Sequence, residues 1–350
     1  MSPSIHPLRS NSKAAGQTSV DTPDFAKAMI EQALAPVTAD LSELSQRIMS
    51  YVPAKTRSAR AVSAHVLGSG GKRIRPALFF LSCRLLDYSG EHLYPIAAVT
   101  EFVHTASLLH DDVVDSSSLR RGKPTANSIY GDATSVLVGD LIYSTASELM
   151  AATGNMEIVR TFARAIRLMS DGELLQLENL FNPLMDESIY LRILEYKTAT
   201  LIEAACKSAG LLAGVPRDRW EALGRFGHEV GMAFQLIDDA LDYTGSAELV
   251  GKSTLSDLPE GKVTLPVIML KDVATTQEQE RLAELLRGQV DASATREVAG
   301  LVDKYNTAER TVERAHGYTM RAMEALHSFP PSTARGHLEN LANKLLFRFT

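Results

Sequence analysis

The chain carries the same acidic pattern twice, each time at the end of a long apolar segment. Asp111-Asp112-Val113-Val114-Asp115 is echoed far downstream by Asp238-Asp239-Ala240-Leu241-Asp242. On a helix the outer aspartates of each motif stand one turn apart on one face, and like charges at that spacing destabilise the helix. The C-terminal end of a helix also disfavours negative charge. This unfavourable placement, made twice, indicates a compensating cation, and carboxylate oxygens suit a hard divalent ion such as Mg2+.

The rest of the chain predicts an all-α protein, because apolar residues recur at three- and four-residue spacing from Phe25 onward. The segments with this spacing are 40–51, 76–86, 93–110, 134–152, 156–170, 189–213, 220–241 and 311–328. Several are apolar nearly all round, which is typical of helices in the middle of a bundle. No break resembles a flexible linker. We therefore expect one helical domain over 25–350 that follows a disordered tail over 1–24.

Composition and charge narrow the functional classes. The net charge of −6 argues against nucleic acid as a partner, so anionic ligands must be held by local basic clusters. The cysteines, Cys83 and Cys206, lie in apolar helical context and are expected to be buried. No apolar run approaches the ~20 residues of a membrane span. Residues 1–20 lack the apolar core of a secretory signal. The expected compartment is the bacterial cytoplasm, with the mitochondrion as the alternative.

Basic residues gather where apolar segments are interrupted. The segment 70–76, Gly-Gly-Lys-Arg-Ile-Arg-Pro, places three cations within four residues and suits a diphosphate, although a solvated helix start is the alternative. Arg120 and Arg121 follow the first acidic motif, where they form either an ion-pair network or half of an anion site. Lys252 and Lys262 lie in the loop after the second motif.

Other polar residues interrupt the apolar helices. His104 precedes Asp111 by two helical turns and shares its face, although a lone histidine there is more often a core residue than a ligand. The pair Lys197-Thr198 breaks an apolar segment, where a lysine usually reaches the surface. Gln235 lies on the acid-bearing face three residues before Asp238. Together these positions predict a helical cavity with facing acidic clusters, a basic mouth and an apolar interior.

These segments resemble those of the trans-isoprenyl diphosphate synthases. The matching stretches are GGKRIRP (70–76), EFVHTASLLHDDVVDSSSLRRGKPTAN (101–127), YKTATL (196–201), GMAFQLIDDALDY (231–243) and DLPEGKVTLP (257–266). The long-chain members, the octaprenyl and solanesyl diphosphate synthases of quinone side-chain synthesis, are the most similar. One departure is the sequence Ser-Thr-Leu-Ser over 253–256, where a glycine is common.

The resemblance implies an all-α bundle around a deep central cavity, usually a homodimer. Such an enzyme uses Mg2+ to join isopentenyl diphosphate to an allylic diphosphate, here expected to be farnesyl diphosphate. Its product is a long all-trans polyprenyl diphosphate. At most peripheral membrane contact is expected, for release of the apolar product.

The resemblance also implies a role for each polar residue. The first Mg2+ site would use Asp111, Asp112 and Asp115, and the second Asp238, Asp239 and Asp242. Isopentenyl diphosphate would be held by Lys72, Arg75, His104 and Arg121. The allylic diphosphate or its reacting end would be held by Arg120, Lys197, Thr198, Gln235, Lys252 and Lys262. Thr198, Gln235 and the Lys197 carbonyl would stabilise the allylic carbocation.

Shape predicts the product length. Ala106 and Ser107 lie one turn before the first acidic motif, where bulky aromatics in short-chain members block the growing tail. Small residues there predict a long product. Met150 and Phe162 are candidates for the cavity floor, since Met150 lies ten residues past Asp140, about 15 Å along a helix.

Three alternatives fit parts of this pattern. A class I terpene cyclase would carry an Asn/Ser/Glu metal motif in place of the second acidic motif. A phosphohydrolase of the HD type is suggested by His104 and by His110-Asp111, but it leaves the second acidic motif unexplained. A regulatory subunit of a prenyl synthase would tend to lose one acidic motif, and this chain has both.

Overall fold

A computed structural model describes residues 23–68, 71–120, 122–244, 255–288 and 290–346. Helices make up most of this part of the chain. They are α1 (Pro23–Leu34), α2 (Thr38–Arg47), α3 (Arg57–Leu67), α4 (Ile74–Leu85), α5 (Leu93–Val114), α6 (Ala126–Tyr130), α7 (Asp132–Ala152), α8 (Met156–Glu178), α9 (Glu187–Leu194), α10 (Thr200–Leu212), α11 (Arg217–Thr244), α12 (Leu265–Ile268), α13 (Leu270–Val273), α14 (Thr276–Leu285), α15 (Ala292–Lys304), α16 (Thr307–Ala325) and α17 (Thr333–Leu346). The predicted all-α class is confirmed.

Short elements complete the chain. Single 3-10 turns occupy Ala35–Val37, Ile48–Tyr51 and Leu326–Ser328. The strands β1 (Leu119–Arg120) and β2 (Lys123–Pro124) pair antiparallel as a small hairpin. No helix among the described residues is long and apolar enough to cross a membrane.

The two helices that carry the acidic motifs lie inside the bundle. Every residue of α5 from 96 to 103 is buried, as expected for a helix that is apolar nearly all round. Helix α5 packs along α7, and α11 packs against both α10 and α16. Burial of one large apolar side chain contributes about 2 kcal/mol, so these contacts hold both helices firmly in place.

The buried apolar residues form two clusters, and α11 belongs to both. Its first half, up to Val230, packs in a cluster with α4, α5, α7 and α10. Its second half, from Met232 to Leu241, packs with α9 and the helices α12 to α16. The first acidic motif therefore extends from one cluster, and the second motif from the other.

One segment departs from the predicted continuous helix over 189–213. The backbone forms a π-helical turn at Glu195–Ala199, in which the Thr200 N–H donates to the Glu195 carbonyl. The extra residue in such a turn rotates the side chains that follow, and π turns are frequent at functional sites. Apolar spacing could not detect it, because the flanking helices keep the ordinary helical pattern.

Two glycines on neighbouring helices leave room for the π turn. A Cβ on Gly172 of α8 would lie 2.8 Å from the Tyr196 Cβ, and one on Gly231 of α11 would lie 2.5 Å from the Ala199 Cα. Carbon atoms pack favourably only at about 3.5–4.0 Å. An interior glycine weakens a helix by about 1 kcal/mol relative to alanine. Close packing against the π turn is the physical reason for glycine at both positions.

We expect Gly231→Ala to lower the free energy of unfolding by about 1–3 kcal/mol, because the added methyl group overpacks the contact with Ala199. Gly300→Ala on the exposed face of α15 is the matched control, since nothing lies within 4 Å of its Cβ position. That change should be neutral or stabilise by up to about 1 kcal/mol. Urea unfolding of both variants measures the difference, and equal effects would contradict the packing argument.

Candidate active site

The first acidic motif ends α5. Asp111 and Asp112 occupy its last turn, and Asp115 follows as the C-cap. Asp111 is half-buried, Asp112 is buried and Asp115 is exposed. Asn127 Nδ2 donates to the Asp112 backbone carbonyl at 3.1 Å, and this satisfies one of the carbonyls that a helix end leaves without an intrahelical partner. The motif is therefore held rigidly at the helix end.

The hairpin β1–β2 returns the chain to the first motif. Gly122 makes the turn with φ +73°, a conformation that a glycine adopts without strain. The return places Arg120 Nε 2.8 Å from Asp112 Oδ1. Of the two alternatives for this basic segment, the structure shows the ion pair for Arg120. Arg121 lies outside the described residues.

The charge of the first motif is only partly balanced by the protein. Burial raises the pKa of Asp111 to about 6, and the Glu173 carboxylate adds to this shift, while Lys197 and Arg120 oppose it. Burial also raises the pKa of Asp112, against the effect of Arg120. The ionised form of both carboxylates is therefore less favourable here than in water, and an added positive charge would favour it.

Lys197 lies on the π turn and faces α8. Its Nζ is 2.5 Å from Glu173 Oε2 and donates to Gln176 Oε1 at 3.0 Å. The sequence reasoning missed both partners. The available signal was Gly172, directly before Glu173, because a glycine inside a long helix usually marks a close approach.

The second acidic motif lies in the last turns of α11, and its three carboxylates have different surroundings. Asp238 is half-buried, whereas Asp239 and Asp242 are buried. Asp242 Oδ1 accepts from the Ser256 N–H at 3.2 Å and its hydroxyl at 3.0 Å, and Oδ2 accepts from the Asp257 N–H at 3.1 Å. The predicted metal ligand Asp242 thus anchors the following loop, which sequence spacing could not reveal.

A hydrogen-bonded chain connects the π turn to the second motif. Thr198 Oγ1 donates to Gln235 Oε1 at 3.0 Å, and Gln235 Nε2 donates to Asp239 Oδ1 at 2.8 Å. Tyr190 of α9 donates to Asp239 Oδ2 at 2.6 Å. The structure therefore brings together Thr198, Gln235 and Asp239, as the predicted site requires. Tyr190 was missed, because one tyrosine in an apolar helix gives no distinctive signal.

The three cations at the start of α4 divide into two kinds. Arg73 turns inward, where it pairs with Glu101 of α5 and donates to the Leu67 carbonyl at 2.9 Å. Its φ of +48° is the left-handed conformation that makes this turn possible. Lys72 is exposed and Arg75 is half-buried. Arg73 therefore connects the loop to α5, and Lys72 and Arg75 remain the predicted diphosphate ligands.

The loop after the second motif comes near the first. Burial lowers the pKa of Lys262, but Glu260, 2.6 Å away, raises it, as does the charge of Asp115, and the net shift is upward. Lys262 therefore lies within electrostatic range of Asp115, which follows the end of α5. Lys252 lies outside the described residues.

The two histidines of α5 point in different directions. His104 is half-buried on the face that carries Asp111, as predicted. His110 faces α7, where its Nε2 is 3.2 Å from the Val136 carbonyl oxygen and 3.4 Å from an Asp140 oxygen. The HD-type alternative loses its support, because His110 is turned toward a neighbouring helix.

The predicted chain-length residues are all on the interior side of their helices. Ala106, Met150 and Phe162 are buried in the same apolar cluster. Ser107 is half-buried on the face of His104 and Asp111, and its hydroxyl donates to the His104 carbonyl at 2.9 Å. Their effect on product length stays a prediction.

We expect Asp111→Asn to stabilise the metal-free protein by up to about 3 kcal/mol at pH 7–8. The raised pKa of about 6 means that the folded state binds the proton more tightly than the unfolded chain. The wild type therefore loses stability as pH rises from about 4 to about 6. The variant avoids this loss, because asparagine does not ionise. Urea unfolding with a chelator at pH 4–8 measures this gain.

Asp186→Asn is the control of opposite sign. Its carboxylate caps α9, and hydrogen bonds from Ser188 lower its pKa, so its loss should lower stability at pH 7. If Asp111→Asn stabilised the protein equally at pH 4 and pH 7, the raised pKa of Asp111 would not be the cause of the gain.

Comparison with known proteins identifies relatives over most of the chain. Octaprenyl diphosphate synthase of Escherichia coli strain K12 is 36% identical over 304 residues, which are 87% of this chain and 94% of that protein. The all-trans-nonaprenyl-diphosphate synthase (geranyl-diphosphate specific) of Rhodobacter capsulatus is 40% identical over 319 residues, 90% and 97% of the two chains.

Solved structures show the same fold. A decaprenyl diphosphate synthase from Rhodobacter capsulatus superposes with a TM-score of 0.86 at 36% identity, covering 92% of this chain and 99% of the other. A polyprenyl synthase from Caulobacter crescentus CB15, complexed with calcium and isoprenyl diphosphate, gives 0.85 at 37% identity, covering 91% and 97%. The polyprenyl synthetase model matches residues 56–304, and the chain belongs to this family of prenyltransferases.

Proposed function

We propose that the protein condenses isopentenyl diphosphate head-to-tail onto an allylic diphosphate, with farnesyl diphosphate as primer. The product is a long all-trans polyprenyl diphosphate of octaprenyl or solanesyl length for a quinone side chain. The hydrogen-bonded chain from Thr198 through Gln235 to Asp239 carries the proposal, because it joins the π turn to the second acidic motif. The relatives named above make products of this class.

Mg2+ fits the donor set of the two acidic motifs. Among the described residues, no three His, Cys, Asp or Glu side chains form a ready-made metal site. Mg2+ does not require one, since it binds through one or two carboxylates, waters and substrate phosphates. The raised pKa of Asp111 supports a cation at this position, because a nearby positive charge favours the ionised carboxylate. The calcium in the Caulobacter crescentus relative supports a divalent ion.

Bound Mg2+ supplies charge neutralisation that helps the diphosphate leave the allylic carbon. Lys72, Arg75 and His104 hold the isopentenyl diphosphate, with Arg and Lys suited to its oxygens. The oxygens of Thr198 and Gln235 act as fixed dipoles, which stabilise the positive charge of the allylic cation in a water-excluded site. The isopentenyl double bond then attacks the cation, and the released diphosphate takes the proton.

The growing tail runs from the acidic motifs toward the far ends of α7 and α8. His110 contacts the first half of α7, and Glu173 of α8 influences Asp111, so these parts lie at the mouth. Phe162 precedes Glu173 by eleven residues, about 16 Å along the helix. Met150 is a similar distance past Asp140. Both lie at a depth suited to a cavity floor.

A homodimer is part of the proposal. The exposed large apolar side chains of α7 and α8 include Val136, Leu137, Leu174 and Leu177. Exposed apolar side chains that form one patch are typical of protein interfaces. The mass of the protein in solution tests this assembly. A cytoplasmic location, with the mitochondrion as the alternative, and transient membrane contact during product release complete the proposal.

Incubation of the purified protein with Mg2+, isopentenyl diphosphate and farnesyl diphosphate tests the function directly. We expect a chelator-sensitive ladder of products that ends at one long polyprenyl diphosphate, which chromatography resolves by chain length. Cyclic hydrocarbon, or no elongation from any allylic primer, would reject the proposal.

Ala106→Tyr should shorten the final product by several isoprene units, because the phenol ring would block the path of the tail. The first condensation should remain, which shows that the fold survives. Ser107→Phe is the second variant, and its half-buried position tolerates added volume better. An unchanged product distribution in both variants would overturn the argument from shape.

A further inference from the structure

Asp239 is held on both sides by side chains, and one of them, Tyr190, has no role in the proposed chemistry so far. Tyr190 donates to one carboxylate oxygen at 2.6 Å, and Gln235 Nε2 donates to the other at 2.8 Å. Tyr190 is 2% exposed and Asp239 is 5% exposed. A charge-assisted bond this short, in a site this dry, is among the stronger polar contacts of a protein.

The ionised carboxylate of Asp239 sets the direction of the remaining hydrogen bonds. It can only accept, so the Gln235 amide must turn its Nε2 toward Asp239. The Oε1 atom then faces Thr198, and an amide oxygen can only accept, so the Thr198 hydroxyl must donate. Without Asp239 the two ends of this amide would be nearly equivalent in shape.

We propose that Tyr190 and Asp239 are positioning residues, which fix the Gln235 amide and thereby commit the Thr198 hydroxyl proton to Gln235. Thr198 Oγ1 then offers only lone pairs to its other neighbours. An oxygen of this kind stabilises a developing allylic cation, whereas a hydroxyl hydrogen pointing the other way would repel it. The inference rests on the proposed function and deepens it.

Tyr190 suits this task because the packing of its ring holds its hydroxyl against Asp239. The ring packs in the cluster that holds α9 against α11 and α12. This packing fixes the position of the hydroxyl.

The test removes the hydroxyl and keeps the ring. We expect Tyr190→Phe to lower kcat for the first condensation about 10-fold, which is less than the roughly 10²–10⁴-fold of a group that transfers a proton itself, because Tyr190 acts through Gln235. At saturating Mg2+ the KM values for isopentenyl and farnesyl diphosphate should change by less than about twofold, since Tyr190 itself is not a ligand of either diphosphate. Tyr305→Phe is the matched control, because it removes a tyrosine–carboxylate bond of 2.7 Å to Glu278 at a remote site. It should leave kcat unchanged.

A double-variant cycle separates positioning from general weakening of the structure. In a Thr198→Val background no hydroxyl remains to be oriented, so Tyr190→Phe should cost less than about twofold further. In a Thr198→Ser background the hydroxyl is kept, and the full loss should return. Equal losses in both backgrounds, or an unchanged kcat for Tyr190→Phe in the wild type, would overturn the inference alone.

Two other outcomes are decisive as well. Loss of the helical circular dichroism signal in Tyr190→Phe would assign this tyrosine a structural role and overturn the inference. A wild-type protein that elongates no allylic primer would overturn the proposed function, and this inference with it.

Discussion

Burial of negative charge at the ends of two helices is the constraint on which the rest of the structure depends. Asp111 and Asp112 at the end of α5, and Asp239 at the end of α11, lose hydration and face the unfavourable end of the helix dipole. Their surroundings offset part of this cost through Arg120 and Tyr190. The cost of burial that is not offset appears as the raised pKa of Asp111. A bound cation would offset it further.

The π turn between α9 and α10 lies beside two helices that carry polar residues of the site, α8 and α11. It turns Lys197 toward Glu173 of α8 and Thr198 toward Gln235 of α11, so one short segment contacts both halves of the site. The close approach of the neighbouring helices requires glycine at positions 172 and 231. Local backbone geometry, close packing and the proposed chemistry are thus linked at a single turn.

Residues of the same type have different structural roles because they are buried to different extents. Asp238 remains partly accessible, whereas Asp242 is fully buried and anchors the next loop. Among the cations, Arg73 turns inward to Glu101 while Lys72 stays exposed. Charge pattern in a sequence cannot distinguish these cases, since each depends on which helix passes behind the side chain.

The sequence by itself determined the helical class, the position of both acidic motifs at helix ends and the family, because apolar period and motif spacing are local properties of the chain. Only the tertiary structure decided the π turn, the hairpin that brings Arg120 to Asp112, and the partners Glu173, Gln176 and Tyr190. The hydrogen bonds of Lys197 to Gln176 and of Tyr190 to Asp239 join residues 21 and 49 positions apart. Their geometry follows from how the helices pack, which no local pattern encodes.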